Sequence, residues 1–449
     1  MKDIKISILL FIIVVFLLLC LSACSKEKIS GDNVTVEETK QAKTNKKSKS
    51  DDKGEKANKI EEKDNIENEG RIENNGGYFV AKDNLVYFRN YGKDLDGEVA
   101  LFGDFLNIPK KMEDTQICSY DIDTGEVNSV LDDYGFGELY LYEDTFYLKK
   151  VEEGDETAYA NIYSIKTDGS DRKDITQGQI LAMNPDNGVY AVESYNDGVW
   201  LIELWQQDEL IYSFEDDKDE NMASFIPSGK TDNAVLFLKN AYDDSKNVEL
   251  WAVKLDEDGE LTKIGDFDID KDEKMGAYPA IEQVAYSKDK VYFVLTLKGG
   301  TSLFLQGAYI FEVDLDEEDS IKLIDEDLSD GYEESVVEIW VDETGELKKG
   351  KHKPFSVWSY ESDLMFCDKD EKEKVLCPDL FVEDMDDGTM KMMQKAEFVN
   401  GVFFVISCDA KRSEEDDIGW REAYKCFYIN YFCIPAEEGS HEEELVGAY

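Results

Sequence analysis

Histidine is almost missing from this chain. Two occur in 449 residues, His352 and His441, which leaves little room for histidine-based acid–base catalysis or a histidine-rich metal site. Basic residues are scarce beside acids: 49 Lys and Arg face 101 Asp and Glu, a formal net charge of −52. Such a chain has nothing with which to neutralise a phosphate backbone, so nucleic acid is excluded as a partner. Proline is rare, with 7 in the chain, and long helical periodicities are hard to find. Apolar residues are plentiful. At 42% they suffice for a packed core, and wholesale disorder is ruled out.

At the start, Lys2 and Lys5, diluted by Asp3, precede residues 6–19, which are apolar except for Ser7. At about 1.5 Å per residue this run falls short of the roughly 30 Å hydrocarbon core. It reads as the h-region of a secretory signal rather than a mature transmembrane helix. Leu21-Ser22-Ala23-Cys24 follows and resembles the lipobox of bacterial lipoproteins. The resemblance implies that residues 1–23 are a signal peptide and that Cys24 becomes the mature N-terminus. Cys24 would then carry a diacylglyceryl thioether and further acylation such as palmitate. The alternative is an uncleaved N-terminal anchor with an incidental Cys24. Either way the remaining chain is expected on the extracytoplasmic face of a cell membrane, held by lipid.

Residues 24–75 read as a tether. From Ser25 onward this stretch has no aromatic residue, no hydrophobic periodicity, and 12 basic against 13 acidic residues. It cannot bury enough apolar surface to offset the entropy of ordering, so a disordered linker is expected. Its root-mean-square reach is roughly 40 Å for about 51 residues. Residues 40–50 hold five Lys and no acid. That cluster is either a solvated spacer or a contact for anionic lipid or wall polymer. The 374 residues from Gly76 onward hold 35 basic and 87 acidic residues, so the domain itself carries the whole −52.

Residues 76–449 read as all-β: short aromatic and β-branched runs, punctuated by Asp-Gly, Asn-Gly and Thr-Gly turns. A strand–turn–strand unit recurs. It joins Gly77-Tyr78-Phe79-Val80 to Leu85-Val86-Tyr87-Phe88, and Glu138-Leu139-Tyr140-Leu141 to Thr145-Phe146-Tyr147-Leu148. Further copies contain Val284-Ala285-Tyr286, Val357-Trp358-Ser359-Tyr360 and Glu397-Phe398, and weaker ones begin near Ile180 and Ala223. A second, more acidic hairpin follows most of them, as in Ile117-Cys118-Ser119-Tyr120-Asp121 and Leu250-Trp251-Ala252-Val253. Two hairpins make a four-stranded antiparallel blade, and so many strands in one open sheet would curl or split. The expected fold is a β-propeller of seven blades averaging about 53 residues, with six or eight also compatible. Residues 336–350 insert an extra hairpin before the sixth copy.

Residues 161–176, with Ile162-Tyr163, the turn Thr167-Asp168-Gly169-Ser170 and the closing Ile175-Thr176, look like the third and fourth strands of TolB-like propeller blades. Related repeats occur in Gram-positive lipoproteins of unknown function. The resemblance implies a propeller domain in a Gram-positive envelope lipoprotein.

Catalytic and metal motifs are judged against that background. Acid pairs are too common to mark a hydrolase dyad. Asp268-Ile269-Asp270-Lys271-Asp272 opens like a calcium loop but has Glu273 and Pro279 where Gly and a bidentate Glu belong. Asp384-Met385-Asp386-Asp387-Gly388 fails similarly, and both read as solvated turns. Ser228-Gly229-Lys230-Thr231 lacks the first glycine of a phosphate loop. The run Ser194-Tyr195-Asn196-Asp197-Gly198-Val199-Trp200 resembles the Asp-box of sialidases but reaches Trp200 one residue early. His352 reads as an exposed loop residue.

Cys20 leaves with the signal, and six cysteines remain beyond Cys24. Cys367 with Cys377, and Cys408 with Cys426, could face each other as disulfides in an exported protein. Buried free thiols are the simpler reading for these and for Cys118 and Cys433. The expected function is binding or scaffolding of protein or glycan, with no cofactor and no chemistry of its own. Alternatives are a carboxylate-based surface hydrolase or lyase, and a sensory or assembly accessory of a membrane complex. Converging carboxylates with raised pKa at the channel would mark an enzyme; an exposed aromatic patch would mark a binding module.

Overall fold

Two-residue turns set the register of the hairpins. Lys82 pairs with Leu85 around Asp83-Asn84, and Tyr142 with Thr145 around Glu143-Asp144. Tyr360 pairs with Asp363, and Val399 with Val402, in the same way. In all four the first turn residue has positive φ, at 56°, 48°, 53° and 49°, as such hairpins need to follow the strand twist.

The computed structural model describes residues 70–91, 94–102, 105–106, 115–132, 137–150, 160–196, 199–216, 225–241, 247–268, 278–287, 290–298, 308–327, 338–381, 389–412, 424–440 and 443–445. The chain divides into two units, Met1–Asn68 and Glu69–Tyr449, and every described residue belongs to the second. The signal segment, Cys24 and most of the tether lie outside the described residues. The described residues form strands and turns, without a helix.

The first sheet begins with β1 (Ile72–Glu73), β2 (Phe79–Lys82) and β3 (Leu85–Asn90). Strands β4 (Asp94–Phe102) and β5 (Phe105–Leu106) leave it; β6 (Gln116–Asp121) and β7 (Val127–Asp132) complete it in the order β1-β2-β3-β6-β7. The second and third sheets are continuous through β8 (Tyr140–Tyr142), β9 (Thr145–Lys150), β10 (Ala160–Lys166), β11 (Lys173–Met183), β12 (Val189–Asn196), β13 (Val199–Gln206) and β14 (Glu209–Asp216). The long β11 joins them, pairing with β10 by its first half and β12 by its second.

The fourth sheet is β15 (Phe225–Lys230), β16 (Ala234–Lys239), β17 (Asn247–Lys254) and β18 (Leu261–Asp268). The fifth is β19 (Tyr278–Ser287), β20 (Lys290–Lys298), β21 (Ala308–Asp314) and β22 (Lys322–Asp327). A hairpin follows where the insertion is expected, β23 (Glu338–Val341) with β24 (Leu347–Gly350). The sixth sheet has three described strands, β25 (Val357–Tyr360), β26 (Asp363–Cys367) and β27 (Glu373–Cys377). The last comprises β28 (Met390–Val399), β29 (Val402–Arg412), β30 (Tyr424–Pro435) and a short β31 (Glu443–Glu444). Strand β4 pairs with β30, so an excursion from the first sheet is hydrogen-bonded into the last.

Neighbouring sheets pack apolar faces on one another, and the inserted hairpin packs on the fifth. Val80 and Ile117 meet Leu141 and Phe146; Tyr147 and Ile162 meet Ile180 and Tyr190; Leu204 meets Phe237. Leu250 meets Phe293 and Phe311, the hairpin's Ile339 covers Ala285 and Val294, and Phe366 meets Phe403. Phe79 and Phe404 then stack at 5.1 Å, packing the first sheet on the last. Full burial of such a side chain contributes about 1.5–3 kcal/mol, and each sheet buries several. Between sheets, contacts run mainly between leading strands, β2 with β28, β11 with β15, β15 with β19, and β25 with β28; β11 also meets β16, and β19 meets the hairpin's β23. Sequential antiparallel sheets with first strands innermost, and the last packed on the first, make a β-propeller.

Much of the acid has a local role. Asp121, Asp168, Asp256 and Asp314 each stand at the hairpin between third and fourth strands. Their side chains accept the N–H two residues on, at 2.9, 2.9, 3.2 and 2.9 Å. Asp342 and Asp368 close turns alike. Gly169 takes φ 80°, as the Thr167-Asp168-Gly169-Ser170 turn requires. The change of composition puts the domain start at Gly76, but β1 already pairs Ile72 with Lys82. The boundary therefore moves to about Gly70.

Candidate functional site

Residues 74–78 occupy the axis. Asn75 pairs with Leu141 of the second sheet through both side-chain atoms, at 2.8 and 3.0 Å. Gly76 N–H donates to Leu139 O, and Leu139 N–H to Gly77 O, each at 2.8 Å. From the fourth sheet the Lys230 ammonium reaches Gly76 O at 3.5 Å. From the last sheet Glu397 accepts Asn74 Nδ2 at 2.7 Å, Tyr78 N–H at 3.1 Å and Phe79 N–H at 3.0 Å. Only a segment on the axis meets sheets from different sides of the ring. Gly76 has φ 80°, and a Cβ there would lie 2.6 Å from Tyr140 Cε1, so glycine alone fits.

Charge at this place runs against the rest of the chain. Lys230 ends β15 and Lys395 lies on β28, both innermost strands, and both side chains are exposed. Their ammoniums stand 6.0 Å from the Tyr140 ring and 5.3 Å from the Tyr78 ring. Arg89, 2% exposed, donates to Gly137 O at 2.7 Å and Glu138 O at 3.1 Å. Burial pushes the Lys149 pKa down; Glu138 pulls it back, while nearby Arg89 and Lys230 lower it further. Tyr78 is pushed up to about 12, by burial first and then by Tyr91, Glu138 and Glu397, with Arg89 opposing. Burial also raises the Glu397 pKa against its three N–H donors and Lys395. Four cations thus face two carboxylates, Glu138 and Glu397, across two tyrosine rings. Such a set can hold an anion.

Among the described residues, the carboxylates whose pKa burial raises are Glu193, Glu203 and Glu397. Glu193, pushed up to about 7 by burial, lies on β12 of the third sheet. Glu397 belongs to the last sheet and is saturated by its donors. No group of three or more His, Cys, Asp or Glu is placed to hold a metal among the described residues. Of the first calcium-like run only Asp268 is described, accepting from Asn247 at 3.3 Å; residues 384–388 and His441 lie outside the described residues. Ser228-Gly229-Lys230-Thr231 ends a strand, with a register shift between Pro227 and Gly229, and leads into no helix. In the Asp-box-like run Tyr195 pairs with Trp200 across β12 and β13, rings 5.0 Å apart.

His352 is not an exposed loop residue. It is half-buried and stacks on Trp358 at 3.7 Å. Trp358 shares a face of β25 with Tyr360, the most exposed large apolar side chain described at 61%. The cysteine pairs do not form where described: Cys118, Cys367, Cys377, Cys408 and Cys433 are buried free thiols. The turn over 368–372 sets Cys367 opposite Glu373, while Cys377 lies opposite Leu364 at the other end of the pair, too far along the strands to join. The side chain of Cys426 lies outside the described ones.

A repeated Glu-Leu-Trp went unread in the sequence. Glu203-Leu204-Trp205 and Glu249-Leu250-Trp251 occupy third strands of successive sheets, and each indole N–H donates to its glutamate, at 3.3 and 2.9 Å. Its period-two spacing was the available signal. Trp251 also borders a cleft of about 750 Å³ at the outer turns of the fourth and fifth sheets, with Asp256, Asp258, Asp316 and Asp319 around it.

No protein-family model matches the chain, and no curated protein matches it. Among solved structures it is similar to the β-propeller domain of the Trilobed protease from Pyrococcus furiosus, at 11% identity and TM-score 0.40, over 83% of this chain and 96% of that one. It is also similar to an ulvan lyase of a polysaccharide lyase family, at 10% identity and TM-score 0.42, over 84% and 96%. A putative TolB from Agrobacterium tumefaciens matches at 14% identity and TM-score 0.28, over 52% and 79%.

Proposed function

We propose that this chain is a membrane-tethered, extracytoplasmic propeller lipoprotein whose axial face binds protein or glycan as a receptor or scaffold. The observation that supports this reading is the convergence of exposed Lys230 and Lys395 on the tyrosine-lined axis. The tether and its lipid on Cys24 follow from the signal segment and the lipobox. Capture from native envelope with the detergent-extracted full chain tests the binding; retention of no more protein or glycan than an unrelated lipoprotein retains would end it. Intact mass tests the anchor: Cys24→Ser should lose the acyl mass and the detergent partition, and an unchanged variant removes the lipoprotein reading.

A carboxylate-based hydrolase or lyase is the second reading, because Glu193 at about 7 lies in the range of a general acid. Turnover of an envelope polymer that Glu193→Gln abolishes would promote it.

A further inference from the structure

We propose that the axial cluster formed by Lys230 and Lys395, with Arg89 and Lys149 behind them, is a site for one oxyanionic group, a carboxylate or a phosphate, on the bound ligand. The inference deepens the binding reading by naming the ligand chemistry.

Lysines in this protein have a wide choice of carboxylates, and many of the described ones take them, although Lys322, Lys353, Lys369 and Lys391 do not. Lys82 pairs with Asp144 at 2.6 Å, Lys173 with Asp208 at 2.7 Å, Lys290 with Glu312 at 2.7 Å and Lys374 with Asp368 at 3.0 Å. Lys230 and Lys395 make no ion pair with a carboxylate among the described residues. Lys230 faces the carbonyl of Gly76, and Lys395 faces the ring of Tyr78. Both side chains are exposed on innermost strands, so each keeps ammonium donors for a ligand entering along the axis. Behind them Arg89 and Lys149 are 2% and 8% exposed, and their charges are fixed in a poorly hydrated place where an anion interacts more strongly than in water. Of the two nearby carboxylates, Glu397 is already engaged by three N–H groups, and Glu138 offsets the charge of Lys149, leaving the cations in excess.

The surrounding acid sharpens selection. A domain of net −52 repels large polyanions, so the site favours one anionic group carried on an otherwise neutral chain.

Titration calorimetry on the detergent-extracted full chain at constant ionic strength tests the site, with inorganic phosphate, glucuronate and neutral glucose as probes. One-to-one binding of phosphate or glucuronate but not glucose is expected, and the stronger probe identifies the source as phosphoryl or uronate. Lys230→Gln and Lys395→Gln should each weaken it about tenfold, as loss of one charge-assisted hydrogen bond does, and Lys395→Arg should retain it. Both lysines are exposed, and an unchanged melting temperature confirms that the variants are folded. Failure of both anions to saturate, or unaltered binding in both Gln variants, overturns the site. If envelope capture persists unchanged in those variants, the anion site fails while the binding reading stands.

Discussion

Phe79 donates its backbone N–H to Glu397 Oε2 at 3.0 Å, across the junction of the first and last sheets. The same carboxylate holds Tyr78 N–H and the Asn74 amide, so one side chain of β28 fixes both the axial segment and the ring closure. Asn400 adds to the seam, donating its backbone N–H to Glu73 and its side-chain amide to Asp83 O.

Removing that acceptor should open the seam. Glu397→Ala leaves the Tyr78 and Phe79 N–H groups without this acceptor, while the Asn74 amide keeps Phe79 O, and at about 1–3 kcal/mol for a buried orphan the expected loss is about 2–4 kcal/mol. Glu397→Gln keeps one acceptor and should cost less. Urea denaturation measures both; equal stability of Glu397→Ala and the unaltered protein would contradict the clamp.

Glu193 makes stability depend on pH. Its folded pKa is raised to about 7 from 4.5, so its contribution is fully present below about 4.5 and is lost as pH rises through about 7. Glu193→Gln should therefore match the unaltered protein near pH 4 and exceed it at pH 8, by about 1–3 kcal/mol. Melting curves across that window decide it, and a variant less stable at pH 8 refutes the burial argument.

Two glycines with the same backbone separate strain from collision. Gly76 and Gly137 have φ 80° and 79°, but a Cβ at Gly76 meets Tyr140 while none does at Gly137. Gly137→Ala should lose about 1 kcal/mol from the left-handed conformation alone. Gly76→Ala should lose at least about twice that. Indistinguishable melting temperatures would mean that the axial segment yields around Tyr140.

Salt should stabilise the protein. The Debye length falls from about 30 Å at 0.01 M to about 3 Å at 1 M, screening repulsion among the excess carboxylates. The melting temperature is expected to rise between those sodium chloride concentrations, and calcium at equal ionic strength should match sodium. A flat or falling trend would show the turn hydrogen bonds and lysine pairs already balance the acids.

The hairpins were readable because their signals are local. Asp83-Asn84, Glu143-Asp144 and Asn400-Gly401 supply positive φ between alternating runs, and a turn of two residues leaves one register. Asp168 and Gly169 act as the turn reading requires, and the inserted hairpin β23–β24 stands where the repeat is interrupted. His352 was misread because its partner Trp358 lies beyond a turn, and the charged neighbours Lys351 and Lys353 mask the stacking. The simpler reading of the cysteines holds for the five described, which are buried free thiols; Cys367 cannot meet Cys377 because the turn over 368–372 places it opposite Glu373.

The axial site illustrates the same division. Period-two alternation and turn residues determine strands and hairpins, since each depends on atoms a few residues apart; composition determines the charge of the domain. Lys230, Lys395, Arg89 and Lys149 are spread over more than 300 positions and carry no common pattern. Their convergence arises only when apolar faces stack sheet on sheet, the strand β4 joins the last sheet, and Glu397 draws residues 74–79 onto the axis. Those contacts depend on the closing of the ring, a many-body packing outcome that no local stretch of chain encodes.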